Sequence, residues 1–221
     1  SADMKCADVL AYLVGEKLDT VRAPHLIFQE DGNIISEDRF SISGYRNARP
    51  WKLAGNSLRA SNRNIPILAQ ANGSVKWDFP DGHIFASQVQ VRENGQISAK
   101  GNPLLATLTS PNGAVIGIAQ SCFMSGQQLS LSGNPRADFP ASMLGLQGSR
   151  CLVSAENVNR EMDGTWVFRG SVIFTGALTG SALTARIFPD GTLELTRHQE
   201  DIPMEATTVD SYKVRAKADW I

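Results

Sequence analysis

The sequence has almost no net charge, few cysteines and histidines, and no long apolar run. Across 221 residues, 21 Lys and Arg stand against 22 Asp and Glu, a formal net charge of −1. Binding nucleic acid or an anionic membrane calls for a basic footprint. The basic stretches here are short, such as Lys213, Arg215 and Lys217, which read as the solvated face of a strand. The longest apolar run, residues 9–14, falls far short of the roughly 18 residues that span a bilayer. The opening residues also lack the basic, apolar and small-residue order of a secretory signal. A start at Ser1-Ala2-Asp3 without Met is the expectation for a mature or trimmed form.

Cysteine and histidine chemistry is equally sparse. Cys6, Cys122 and Cys151 make an odd count without a CxxC pair, which excludes a disulfide framework and a structural zinc site. They are either three small buried hydrophobes or one bonded pair with a spare. His25, His83 and His198 are scattered, with no metal-ligand spacing, and His83 reads as an exposed strand residue. There is no GxSxG elbow, and Ser121-Cys122 has no nearby partner, so Cys122 reads as packing. The glycines Gly176 and Gly180 lack the Lys-Ser/Thr ending of a phosphate loop. Glu156, Glu161 and Asp163 cluster in sequence, but a glycosidase needs two carboxylates facing each other across a cleft. No cofactor or metal is implied, and the chain reads as a binding or scaffold protein rather than an enzyme.

What is present is patterning. A composition of 42% hydrophobic and 19% charged residues is ordinary for a globular chain, long enough for one large β domain or two small ones. At the start, Met4, Val9, Leu10, Leu13, Val14 and Leu18 fall near helical spacing, with Asp8, Glu16 and Lys17 between them. This predicts a short amphipathic helix within residues 1–20. After Pro24 the period becomes two. Val75, Trp77 and Phe79 alternate with Lys76 and Asp78, and Val89 and Val91 with Gln88, Gln90 and Arg92. Alternation of this kind gives a strand one buried and one wet face, and it predicts a β domain over residues 24–221.

Turn signals recur at Asp31-Gly32, Asp81-Gly82, Asn94-Gly95, Asp163-Gly164 and Asp190-Gly191, the strongest short-range marks of hairpins. A unit of turn, strand and Gly also repeats. Asn94-Gly95-Gln96-Ile97-Ser98-Ala99-Lys100-Gly101-Asn102-Pro103 aligns with the stretch from Asp163 through Gly170, and with Leu129-Ser130-Leu131-Ser132-Gly133-Asn134-Pro135. Earlier and weaker copies are Arg39 to Gly44 and Asp190 to Leu195, while residues 57–72 read as a long loop. The repeated Gly suits a corner or bulge. Units unable to bury a face alone must stack, as solenoids and elongated jelly rolls do.

The ordered series Gly101-Asn102-Pro103, Asn112-Gly113, Ala119-Gln120-Ser121 and Leu129 to Asn134, continuing through residues 145–162, resembles the OstA-like (LptA-like) periplasmic lipopolysaccharide-transport family. The resemblance is best over residues 73–197. It implies an all-β fold, an elongated antiparallel β-jelly roll, here with the short helix in front. It further implies a periplasmic location and an apolar groove for acyl chains of lipopolysaccharide or a similar lipid. Partner jelly-roll proteins of a transport bridge would dock end to end.

In such a stack Ile97, Ala99, Leu129, Leu131, Trp166 and Phe168 line one inner face as the lipid-binding groove. Cys122 and Cys151 would then sit on consecutive rungs, the pairing the resemblance favours in an oxidising compartment. At the C-terminus Tyr212, Val214, Ala216, Ala218 and Trp220 alternate with Lys213, Arg215, Lys217 and Asp219. This is the pattern of a last strand that either joins a neighbouring molecule, giving self-association, or caps its own sheet. Two other readings stand beside the lipid carrier. One is a structural or adhesive β-solenoid with a closed core, the other a β-sandwich enzyme acting on polysaccharide.

Overall fold

The computed structural model describes residues 2–13, 19–46, 49–61, 67–92, 94–110, 112–196, 207–208 and 215–216. Among them there is no α-helix: apart from one 3-10 turn, every regular element is a β-strand. Two compact units divide at Ala106/Thr107.

In the first unit the strands are β1 (Ala2–Leu13), β2 (Asp19–Phe28), β3 (Asn33–Ser36), β4 (Phe40–Arg46), β5 (Arg49–Gly55), β6 (Ser57–Ser61), β7 (Ile67–Phe79) and β8 (Gly82–Arg92), with β9 (Ile97–Ser110) leading out of it. Two long strands serve two partners each. The first half of β2 pairs with β4 (Val21 with Ile42), and its second half with β3 (Phe28 with Ile34). Likewise β7 pairs with β6 through Ala69 to Asn72, and with β5 through Lys76 to Asp78. Since β3 also pairs with β6 and β4 with β5, these six strands close into a ring. The ring has two layers: an A sheet holding β4 and β5, and a B sheet holding β3 and β6. β2 and β7 bend from one layer to the other.

The second unit repeats this plan. Its strands are β10 (Gly113–Ser125), β11 (Gln128–Ser132), β12 (Arg136–Pro140), β13 (Arg150–Ser154), β14 (Asn157–Arg160), β15 (Trp166–Gly176), β16 (Leu178–Ile187), β17 (Leu193–Thr196), β18 (Thr207–Thr208) and β19 (Arg215–Ala216). β10 pairs with β12 and then β11; β15 pairs with β14 and then β13; β11 with β14 and β12 with β13 complete the ring. β16 follows β15 along its length, as β8 follows β7. Strand for strand, β2 to β8 and β10 to β16 share one topology.

The bends come from local chemistry. In β2 the pairing changes partner around Pro24, which has no N–H to give a ladder. In β7 and β15 the register slips at Gly73-Ser74 and Gly170-Ser171, where φ is 71° and 48°, and 78° and 48°. Two successive left-handed residues turn the strand through the corner, and glycine carries the first without steric cost. At the same corners Asn56 N–H donates to the Asn72 carbonyl (3.1 Å), and Glu156 N–H to that of Gly170 (2.9 Å). Of the glycines in the sequence repeat, Gly170 is such a corner, whereas Gly44 lies within β4 opposite Trp51.

The opposite ends of the strands are hairpin turns, four of them built alike. At Asp31, Asn94, Asp163 and Asp190 the side-chain oxygen accepts the N–H two residues on, at 2.9–3.1 Å. The following glycine has a φ of 78–90°, and two backbone bonds close each hairpin. This is the geometry Asx-Gly favours.

Two expectations are corrected. The N-terminal segment is not a helix: Ala2 to Leu13 runs antiparallel to β2, Ala2 opposite Phe28 and Leu13 opposite Asp19. The pairing is interrupted between Lys5 and Val9, and the apolar positions on either side do not follow one period of two. Val14 and Leu18, which completed the helical pattern, lie outside the described residues. Residues 57–72 are not a long loop either. Ser57–Ser61 is β6, with Leu58 and Ala60 buried, and β7 has begun by Ile67.

Candidate functional site

Alternation places one face of every strand in the space between the A and B sheets of its unit, and that face is apolar. The six residues expected to line a groove all lie there, none more than 4% exposed. They are divided between the two units. Ile97 and Ala99 lie in the first unit at the start of β9; Leu129, Leu131, Trp166 and Phe168 lie in the second on its B sheet. There they form two rows across β11, β14 and β15. Leu131, Val158 and Phe168 make the row nearer the corner; Leu129, Arg160 and Trp166 make the row nearer the hairpin ends.

The A sheet answers with Phe139 on β12, fully buried. Its ring meets Trp166 edge-on at 5.6 Å between centroids and Phe168 at 6.0 Å, while Trp166 and Phe168 stack at 6.5 Å. Aromatic pairs at these spacings and tilts are favourable beyond their buried area. Sequence reasoning missed Phe139, although Ala137 and Phe139 alternate with Arg136 and Asp138 and carry the same signal. It also missed Arg160. Directly opposite Leu129 and Trp166, its stem shares their inward face, and its guanidinium donates to the Gln127 carbonyl (3.0 Å) at the β10–β11 turn. This is the snorkelling posture of a long cation over apolar surface.

The first unit offers a comparable interior. Trp77 and Phe79 on β7 lie 4.7 Å apart, and Trp51, Leu53 and Ile84 are buried around the same end of the A sheet. Trp77 Nε1 is buried without a hydrogen-bond partner.

Cys122 and Cys151 are free thiols, not a disulfide, which corrects the expected pairing. Cys122 pairs with Leu131 on the B sheet and Cys151 with Phe139 on the A sheet, so the pair belongs to opposite layers. Burial pushes the Cys151 thiol up to about 11, with the Asp138 charge adding to it against a hydrogen bond from the Leu178 backbone.

The remaining polar candidates are dispersed. Glu156 sits at the corner beside Ser171, whose hydroxyl donates to it (3.3 Å). Glu161 lies at the other end of β14, held by Arg186 at 3.1 Å. Asp163 belongs to a hairpin turn, bonded to the Thr165 backbone. His83 packs against Phe85, and no group of three metal-ligating side chains occurs among the described residues. A cleft of about 660 Å³ lies outside the A sheet near the corner, bordered by Asn134, Arg136, Ser154, Glu156, Ser171 and Thr175. The expected C-terminal strand is described only at β19, which lies parallel to β17 of its own unit; the rest falls outside the described residues.

Comparison with known protein families and with curated proteins finds no match for this sequence.

Proposed function

We propose that this chain is a lipid-binding scaffold of a cell envelope, a jelly-roll component of lipopolysaccharide transport in the periplasm. It would hold acyl chains between its two sheets and dock end to end with partner jelly rolls. The observation that supports this is the repetition of one ring topology, each copy enclosing an apolar interior that runs from a corner to a set of hairpin ends. Burying an acyl chain in such a space stabilises by about 0.8 kcal/mol per CH₂, so a lipid with several chains needs no elaborate polar site. Arg160, at the hairpin end of that interior, stands where a headgroup would sit.

A second reading has its own support. The Phe139, Trp166 and Phe168 rings fill the second unit from sheet to sheet, as in a closed-core structural β protein. Mass spectrometry of the protein purified under native conditions separates the two, with photo-crosslinking to localise the contact. A crosslinker at Leu129, Leu131 or Phe168 should capture lipopolysaccharide or a similar acylated lipid, while one at Gln90 or Arg92 should not. Equal labelling of both sets means non-specific adhesion, and absence of bound lipid supports the closed core.

A further inference from the structure

The two units share a strand plan and differ most at one connection. In the first, β4 and β5 are linked through Asn47 and Ala48. In the second, the equivalent β12 and β13 are linked through residues 141–149. This longer segment leaves the A sheet at Pro140, makes the 3-10 turn Ala141–Leu144, and reverses at Gly145 with φ 66°. It then closes on itself: Leu146 N–H donates to the Ala141 carbonyl at 3.0 Å, and Ala141 N–H to Ser149 at 3.2 Å.

Its root and its tip are held by different forces. At the root, the Arg150 guanidinium donates to the Asp138 carboxylate (2.6 Å), the Asp138 carbonyl (2.9 Å) and the Ala114 carbonyl (3.3 Å). Ala177 N–H donates to the Arg150 carbonyl at 2.9 Å. At the tip, the Met143 carbonyl and Leu144 Cα crowd Gly191, so closely that a Cβ there would collide with the Met143 oxygen. Gly191 belongs to the β16–β17 turn of the B sheet, so the segment crosses from one layer to the other at the hairpin end of the unit. Met143, Leu144 and Leu146 are half-buried, and Phe139 stands one residue before the point of departure. Among the described residues the segment's backbone hydrogen bonds run within it or to its root, and its contact with the B sheet is one of packing.

We propose that residues 141–149 are a lid over the apolar interior of the second unit. The lid is held shut by non-directional packing on the β16–β17 turn and opens about the hydrogen-bonded Asp138–Arg150 root to admit an acyl chain. The proposal rests on the lipid-binding reading above. Segments that gate a site belong to the least stable parts of a fold, where opening breaks few hydrogen bonds. The asymmetry between root and tip supplies that property. The corresponding link of the first unit is only two residues long.

The test is stopped-flow uptake and release of a fluorescent polyene fatty acid by the full chain and two variants. One replaces residues 142–149 by Asn-Gly. The other keeps the length but carries Met143→Ser, Leu144→Ser and Leu146→Ser, and it decides the question if the shortened chain does not fold. Uptake and release faster by on the order of tenfold in the variants, with wild-type far-ultraviolet dichroism, is the expected result. Uptake by the variants alone also supports a lid. Wild-type rates in a folded variant overturn the lid and leave the lipid reading standing. Absence of uptake in all three proteins overturns that reading and the lid with it.

Discussion

Phe139 and Trp166 meet edge-on across the second unit, their ring centroids 5.6 Å apart at an interplanar angle of 83°. One belongs to the A sheet and the other to the B sheet, so a single contact fastens the two layers near their hairpin ends. Replacing Phe139 by Ala removes a fully buried ring and its edge contacts, and should cost about 3–5 kcal/mol in urea unfolding. Phe123, 42% exposed, provides the control: Phe123→Ala should change stability by no more than about 0.5 kcal/mol. Equal losses at both positions would show that the sheets are not fastened here.

Glycines of similar backbone conformation should differ in their tolerance of a methyl group. Gly95 (φ 78°) has nothing within 4 Å of an added Cβ, whereas at Gly176 (φ 102°) the Cβ would stand 2.5 Å from the Arg150 carbonyl oxygen. Gly95→Ala pays only for the left-handed backbone, about 1 kcal/mol. Gly176→Ala must also displace β13 and should cost about 3 kcal/mol or more. Denaturant midpoints of the two variants check the order.

Alkaline stability should report on Cys151. Its thiol is raised from 9.0 to about 11 by burial, so the native state holds a proton that the unfolded chain releases. The resulting contribution is complete below pH 9 and is lost as the pH rises toward 11. Unfolding measured from pH 8 to 11 should fall more steeply in the wild type than in Cys151→Ala. The folded thiol should also resist alkylation at pH 8, which a mass shift without denaturant would contradict.

Acid stability should report on the hairpin turns. The carboxyls of Asp163 and Asp190 lie below the usual 3.8, chiefly because the backbone N–H groups of Thr165 and Thr192 donate to them. Groups lowered in this way stabilise the fold above their unfolded pKa, and that contribution disappears as the pH falls through the native value. Asp163→Asn and Asp190→Asn keep an acceptor for the turn but cannot titrate. Melting temperatures recorded from neutral pH down to below 3.8 should therefore decline less in the double variant.

The sequence by itself determined the β class, the hairpin turns and the glycine corner at Gly170. Each depends on a few adjacent residues: Asp190 accepts the Thr192 N–H inside its own turn, and Gly170 takes a φ of 78° that glycine adopts without steric cost. It also marked Ile97, Ala99, Leu129, Leu131, Trp166 and Phe168 as inward-facing, since period two fixes which side chains share a side of a strand. Partners across the fold were decided only by the tertiary structure. That Ala2 to Leu13 is a strand depends on the edge β2 offers, that Phe139 answers Trp166 depends on two layers joined through bent strands, and that residues 141–149 reach Gly191 depends on a turn some forty positions later. Hydrogen-bonded pairing and side-chain packing are satisfied by whatever the chain brings close, and closeness in space is not written in local spacing.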